Sequence, residues 1–347
     1  MKNKITISVS ILLYLFSMQL LAQNIIGKVT TASGTTLSGV SVYLDGTTLG
    51  TSTNDAGEFS LISTTKFNTS LIIRFMGYED VILSNPYEKP FWNIVLQVKE
   101  NEIEPVFIID DGFTRKQKMQ LFKEQFLGSN KEGKACRILN EDALILEFDK
   151  KNNRLLAKSY EPIQIQNDYL GYLVEFDLYD FYVLMNKKSI KSADVYQSMF
   201  LGTSQFIDNA KHEYQKINRD KAYFGSSMEL FKTLIHNSWE TKKFLLYEGK
   251  FAVNPTNYFK ITNEEGLFKV EVKEQNNIGL KSKKFNVFLN LLYNKKRQSQ
   301  IQFGTKEFFV DEFGNTSHRD QIIFGGDIGT QKLGNLLPLN YQPLKSE

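Results

Sequence analysis

Glycine-bearing turns interrupt β-branched runs every few residues between Ile25 and Leu61, a spacing that leaves room for short strands but not for helices. Ile26–Thr31 is rich in β-branched residues and stops at Ser33-Gly34. Val40, Val42 and Leu44 alternate with Ser41 and Tyr43, the period-two pattern of a strand with one buried face. Asp45-Gly46 predicts a tight hairpin, because both central residues of a type I′ turn need φ > 0. Thr47–Thr53 reads as the returning strand and Asn54-Asp55-Ala56-Gly57 as a further turn, with Phe59 and Leu61 inward on the next strand. Leu71–Phe75, Tyr78–Leu83 and Phe91–Val98 complete about seven strands, with Trp92, Ile94, Leu96 and Val98 predicted on one face. The expectation is a small antiparallel sandwich over residues 23–99.

The same stretch carries the pattern G-x-V-x(n)-G-x-x-L-x-G-V-x-V-x-L-x-G-T-x-x-G-x-x-T-x-x-x-G-x-F. It runs through Gly27, Val29, Gly34, Leu37, Gly39, Val40, Val42, Leu44, Gly46, Thr47, Gly50, Thr53, Gly57 and Phe59. On these residues, positions 24–98 resemble the carboxypeptidase-regulatory-like domain, a transthyretin-like β-sandwich. The resemblance implies a module of the kind that opens outer-membrane receptors and other envelope proteins. It implies no peptidase activity, because the name refers to the accessory domain of certain zinc carboxypeptidases. Read as residues alone, Gly39, Gly46, Gly50 and Gly57 are turn glycines.

Residues 1–22 read as a secretory signal. Lys2 and Lys4 form the basic start, Ile5–Leu21 is largely apolar, and Ala22 precedes a cleavage point at Gln23. An uncleaved anchor is the alternative reading of that segment. No cysteine follows the apolar run to take a lipid, and no later run approaches the roughly 20 apolar residues of a membrane-spanning helix. Removing Lys2 and Lys4 lowers the formal charge from +3 to about +1, which argues against nucleic acid or an anionic membrane as partner. The single cysteine, Cys136, excludes an intrachain disulfide and is expected as a small buried hydrophobe where a strand begins.

Residues 100–105 read as a charged, Pro-terminated linker, and residues 106–347 as a second domain. Val106–Ile109 is a candidate strand. Thr114-x-x-Gln117 is a capping box, Met119, Phe122 and Phe126 form one apolar helix face, and Gly128 stops the helix. Lys116, Lys123 and Glu124 fall on its solvated side. Strands are expected at Ala143–Phe148, Arg154–Tyr160, Pro162–Gln166 and Gly171–Met185, with Asn152-Asn153 as a turn. A second helical block is expected from about Gln205, with Ser226-x-x-Glu229 as a capping box and Met228, Phe231, Leu234 and Ile235 on one face. Strands resume at Lys250, the clearest being Asn286–Tyr293, Ser299–Phe303 and Lys306–Val310. The fold class is therefore mostly β/α+β: a seven-stranded transthyretin-like sandwich followed by a sheet-dominated α+β domain. Phe122-x-x-x-Phe126-Leu127-Gly128, Cys136, Gly171-Tyr172, Ala222–Ser226 and Leu336–Tyr341 also resemble an exported family whose second domain has no assigned function.

No catalytic, cofactor or metal residue is assigned. A zinc carboxypeptidase needs His-x-x-Glu and a distant His; His212, His236 and His318 are followed at that spacing by Gln215, Trp239 and Gln321. Ser226 lacks the second glycine of a nucleophile elbow and reads as an N-cap. Cys136 has no protease signature around it. Glu175 and Asp177, roughly 7 Å apart on one strand face, suit a glycosidase pair. The plainer account puts Val174, Phe176 and Leu178 in the core and the carboxylates in water. Lys281, Lys283, Lys284, Lys295, Lys296 and Arg297 read as a solvated hairpin end. The function expected is a non-catalytic, exported envelope protein, periplasmic or associated with the outer membrane. Its sandwich would bind or position, and its second domain would contact protein, peptide or glycan. The alternative is a hydrolase with a non-standard site drawing on His212, His236 or His318.

Overall fold

The computed structural model describes residues 23–344 except 64, 100–110, 240–242, 265 and 275–284. The stretches expected to be a signal, a linker and a strand at Val106–Ile109, together with Lys281, Lys283 and Lys284, lie outside the described residues. Two units divide the chain: Met1–Leu44 with Leu49–Asn101, and Asp45–Thr48 with Glu102–Glu347.

The first unit holds β1 (Gln23–Thr31), β2 (Ser41–Leu44), β3 (Gly50–Ser52), β4 (Glu58–Ser63), β5 (Leu71–Arg74), β6 (Val81–Leu83) and β7 (Trp92–Leu96). They form two sheets, β4-β1-β7 and β3-β2-β5-β6. Period-two burial supplies the core: Ile25 and Val29 from β1, Phe59 and Leu61 from β4, Ile94 and Leu96 from β7. Val42, Leu44, Leu71 and Ile73 come from the other sheet. Gly27 explains one position of the sequence pattern. A Cβ there would stand 2.4 Å from the Trp92 carbonyl oxygen and 2.7 Å from the Phe59 ring, so only glycine lets the ring lie across the strand.

Four details depart from the sequence reading. The sandwich is not wholly antiparallel, because β1 and β7 run parallel, with Gly27 opposite Trp92 and Thr31 opposite Leu96. The Asp45-Gly46 hairpin is not a two-residue turn. Gly46 alone of the pair has positive φ, and Leu44 N–H reaches Leu49 O at 3.0 Å, so the loop is wider and β3 starts only at Gly50. Gly50 is accordingly a strand residue rather than a turn glycine. Val98 lies beyond the end of β7 and is 68% exposed.

The second unit contains two cores. The first gathers on α1 (Arg115–Phe126), α2 (Lys131–Lys134), β8 (Cys136–Ile138), β9 (Leu144–Asp149), β10 (Arg154–Ser159), β11 (Ile163–Asn167), β12 (Tyr172–Met185) and β13 (Val195–Asp208). β12 organises this sheet: one edge pairs with β11 and then β10, and the other pairs with β13 along nearly its whole length. Thr114 and Gln117 form the reciprocal capping box of α1. Phe122 and Phe126 stack at 5.0 Å and meet Phe181 and Phe176 at 4.7 and 5.2 Å. The helix expected from about Gln205 is a correction: β13 continues to Asp208. Its burial follows no clean alternation, so periodicity could not reveal it.

The remaining elements, most of them around the second core, are α3 (Glu213–Tyr223), α4 (Ser227–Ile235), β14 (Phe244–Glu248), β15 (Phe251–Ala252), β16 (Phe259–Glu264), β17 (Leu267–Val272), β18 (Val287–Tyr293), β19 (Arg297–Phe303), β20 (Glu307–Val310), β21 (Ile322–Gly325) and α5 (Gly326–Gly329). Of these, α4 and the two sheets β15-β14-β18-β19-β21 and β16-β17-β20 bury the apolar groups. α3 turns back to the first core, and Phe224 packs against both. Among the described residues no helix is long and apolar enough to cross a membrane.

Candidate functional site

α3 has almost no apolar face, yet it buries Gln215, Asn218, Arg219 and Asp220. Hydrogen bonds hold it. Gln215 Nε2 donates to Asp168 O at 2.9 Å and Asn218 Nδ2 to Tyr169 O at 3.1 Å. Arg219 donates to Leu170 O at 2.7 Å and Gly171 O at 2.9 Å. The same guanidinium grips Asp208 with two bonds of 2.9 and 2.8 Å and lies 3.8 Å over the Tyr172 ring. Four consecutive carbonyls of the turn before β12 are thereby satisfied, which a buried turn requires. The hydrogen bonds from Arg219 hold the Asp208 carboxyl below its ordinary range against the opposing effect of desolvation. Burial pushes the Tyr172 phenol up to about 12.

α4 starts at Gly225-Ser226. Ser226 Oγ accepts from Glu229 N–H at 3.3 Å, as an N-cap should. The reciprocal arm differs from a capping box: Glu229 Oε2 accepts from Gly225 N–H at 2.6 Å instead of from Ser226. Phe231, Leu234 and Ile235 are buried, while Met228 leans on the first core. Past the last turn, His236 meets Phe268 edge-on and Asn237 takes φ 49°.

A cavity of about 370 Å³ opens at that end of α4. Leu234, Ile235 and Phe259 form its buried floor; Trp239, Pro255, Ile261 and Phe268 form half-buried walls; Asn237, Thr256 and Asn263 stand at the rim. Phe259, Ile261 and Asn263 are alternate residues of β16, so one strand face descends from rim to floor. Among the described residues, the Asn237 amide and the Trp239 indole N–H have no hydrogen-bond partner. Asn263 uses only Oδ1, accepting from Gly266 N–H at 3.1 Å. None of the described lining residues is ionisable. An apolar aromatic hollow of this size with a few unpaired polar groups is the usual make-up of a ligand pocket.

A larger groove, about 840 Å³, runs along the solvated face of α1. Its charges are mostly spent within the protein: Lys123 pairs with Glu141, Arg115 donates to Glu141 O and Leu144 O, and Glu124 accepts from Ser192.

The residues weighed from sequence take structural places. Cys136 opens β8, its thiol bonded to Glu132 O at 3.5 Å. Burial first, then the nearby Asp168, push its pKa up to about 12, which leaves negligible thiolate at neutral pH. Glu175 and Asp177 face away from the core beside Gln205 and Thr203 of β13, while Val174, Phe176 and Leu178 are buried. His212 caps α3, where its N–H and that of Lys211 bond Gln215 Oε1; its ring stacks on Tyr214. His236 ends α4, and His318 bonds Ser317 Oγ in a left-handed loop position. Among the described residues no group of three metal-ligand side chains comes together. Asn294 and Lys295, both with positive φ, form the turn of the hairpin between β18 and β19. Arg297 does not share its solvated end. It bonds Asp327 at 2.7 Å and Phe224 O at 2.7 Å, and so joins β19 to α5 and to the segment before α4.

Sequence reasoning passed over the pocket. Phe-x-Ile-x-Asn at 259–263 was the available signal, but the partners at 234–239 and 268 converge only in the fold.

Residues 25–108 match the model of the CarboxypepD_reg-like domain, so the β-sandwich of the first unit is a domain of that family. No curated protein matches the chain.

Proposed function

We propose that the protein is an exported envelope component whose second unit binds an uncharged ligand in the pocket at the end of α4 and carries out no chemistry on it. The CarboxypepD_reg-like sandwich serves as an accessory positioning module. The observation that carries this reading is the pocket's lining: apolar and aromatic side chains with the unpaired Asn237 amide and Trp239 indole N–H, no ionisable group among the described lining residues, and the one hydroxyl, Thr256, bonded to Asn254 Oδ1 at 2.9 Å. A reaction needs such groups within hydrogen-bond reach of the substrate, whereas binding does not. The placement of Cys136, Ser226 and the three histidines in separate structural roles supports the same reading over a hydrolase. Export rests on the signal-like residues 1–22.

Two measurements test the proposal. N-terminal sequencing of protein from the envelope fraction is expected to begin at Gln23; a cytoplasmic chain retaining Met1 would contradict export. Neutral peptides and neutral oligosaccharides are expected to include binders that Ile261→Lys rejects, since a charge at the wall has no partner there. Unchanged binding in that variant would remove the pocket from the account.

A further inference from the structure

The strand that walls the pocket is also an edge. Among the described residues β16 pairs with β17 alone, in register from Phe259–Val272 to Glu264–Leu267. Its other row of backbone N–H and C=O groups has no partner among the described residues. Exposed strand edges either are protected or accept another strand. Protection here is slight: Lys260, on the face away from the pocket, is already paired with Glu271 at 2.9 Å.

We propose, resting on the reading of the pocket as a binding site, that its ligand is an extended polypeptide segment which adds as a strand to the free edge of β16 and places one uncharged, apolar side chain in the pocket. Three observations carry this. An unpaired edge demands a ligand with donors and acceptors at strand spacing, which polypeptide backbone supplies and an acyl chain does not. Charge complementarity selects the inserted group, because a Lys or Glu side chain would find no counter-charge among the described lining residues. The depth selects against a saccharide: hydroxyls lowered onto Leu234, Ile235 and Phe259 would lose water without gaining a partner. Asn237 and Asn263 at the rim then have a role, pairing with the peptide groups on either side of the inserted residue.

The test is fluorescence polarisation of the full chain with labelled, acetylated and amidated hexapeptides in which one central residue varies over apolar, Lys and Glu side chains. A series N-methylated at alternate backbone positions and a set of neutral oligosaccharides accompany them. Apolar-centred peptides are expected to bind, the Lys and Glu forms to be rejected, and N-methylation on the pairing side to weaken binding about tenfold through lost strand bonds. Asn237→Gly, which keeps the positive φ, is expected to weaken binding while circular dichroism stays unchanged. Binding indifferent to N-methylation overturns the strand addition and leaves the pocket as a site. Oligosaccharides binding in place of peptides also overturns it and leaves the broader reading standing. If neither class binds, this inference and the proposed function both fail.

Discussion

α3 and α4 follow one another across three residues and reach the interior by opposite means. α3 brings amides and a guanidinium to a turn's carbonyls; α4 brings Leu230, Phe231, Leu234 and Ile235 to a sheet. Hydrogen bonds are directional, so each α3 side chain is fixed on particular acceptors, one each for Gln215 and Asn218 and three groups for Arg219, and the contact closes fully. Apolar burial is non-directional and needs only area. A helix docked that way can end short of its sheet and leave a hollow, and the pocket lies at the end of α4. The contrast teaches that the latched part of this unit is its frame and the apolar part is where ligand space arises.

The largest effect expected from breaking the contrast is on the apolar side. Phe231 is 3% exposed and packs edge-on against Phe308 and Phe324. Phe231→Ala should cost about 4 kcal/mol by urea titration, mostly as cavity. Arg219→Met comes next, at about 3 kcal/mol, because the Leu170 carbonyl loses its side-chain donor, the Gly171 carbonyl keeps only Asn209 N–H, and Asp208 loses its ion-pair partner. If Arg219→Met proved neutral, α3 would be held by packing after all and the comparison would collapse.

A pH series sharpens it. The folded-state pKa of Asp208 is depressed, through the Arg219 bonds foremost, so its contribution is full above the ordinary carboxylate pKa of about 3.9 and is lost as pH falls through the lower folded value. Asp208→Asn should therefore show a smaller loss of urea midpoint between pH 7 and pH 3 than the wild type; an identical loss would assign the acid sensitivity elsewhere. Asp208 is about half exposed, so the difference should be modest. The smallest effect belongs to the start of α4: Ser226→Ala should cost about 1 kcal/mol, the worth of one N-cap, and leave ligand binding unchanged.

Much of the fold was legible where local chemistry decides. The α1 capping box, the turns at Asn153 and Asn294-Lys295, and the alternation in β4 and β12 each fix a backbone conformation from within a few residues. α4 was legible from its apolar spacing. α3 was not, because its buried face is polar and its partners lie about 50 positions earlier in the chain. β13 was hidden for a related reason: long-range pairing with β12 overrides a sequence with no clean period. The pocket combines both difficulties, since its walls come from α4, the turn before β16, β16 and β17. The N-cap place of Ser226 and the place of Cys136 at the start of a strand were legible from their immediate neighbours.

The most direct test of a second unit that binds without reacting is to incubate the full chain with the apolar-centred hexapeptides and follow both complex and peptide mass over time. The account predicts a complex, lost in Ile261→Lys, with every peptide recovered intact. Cleaved peptide that disappears in His236→Ala, the histidine nearest the pocket's Phe268, would contradict it.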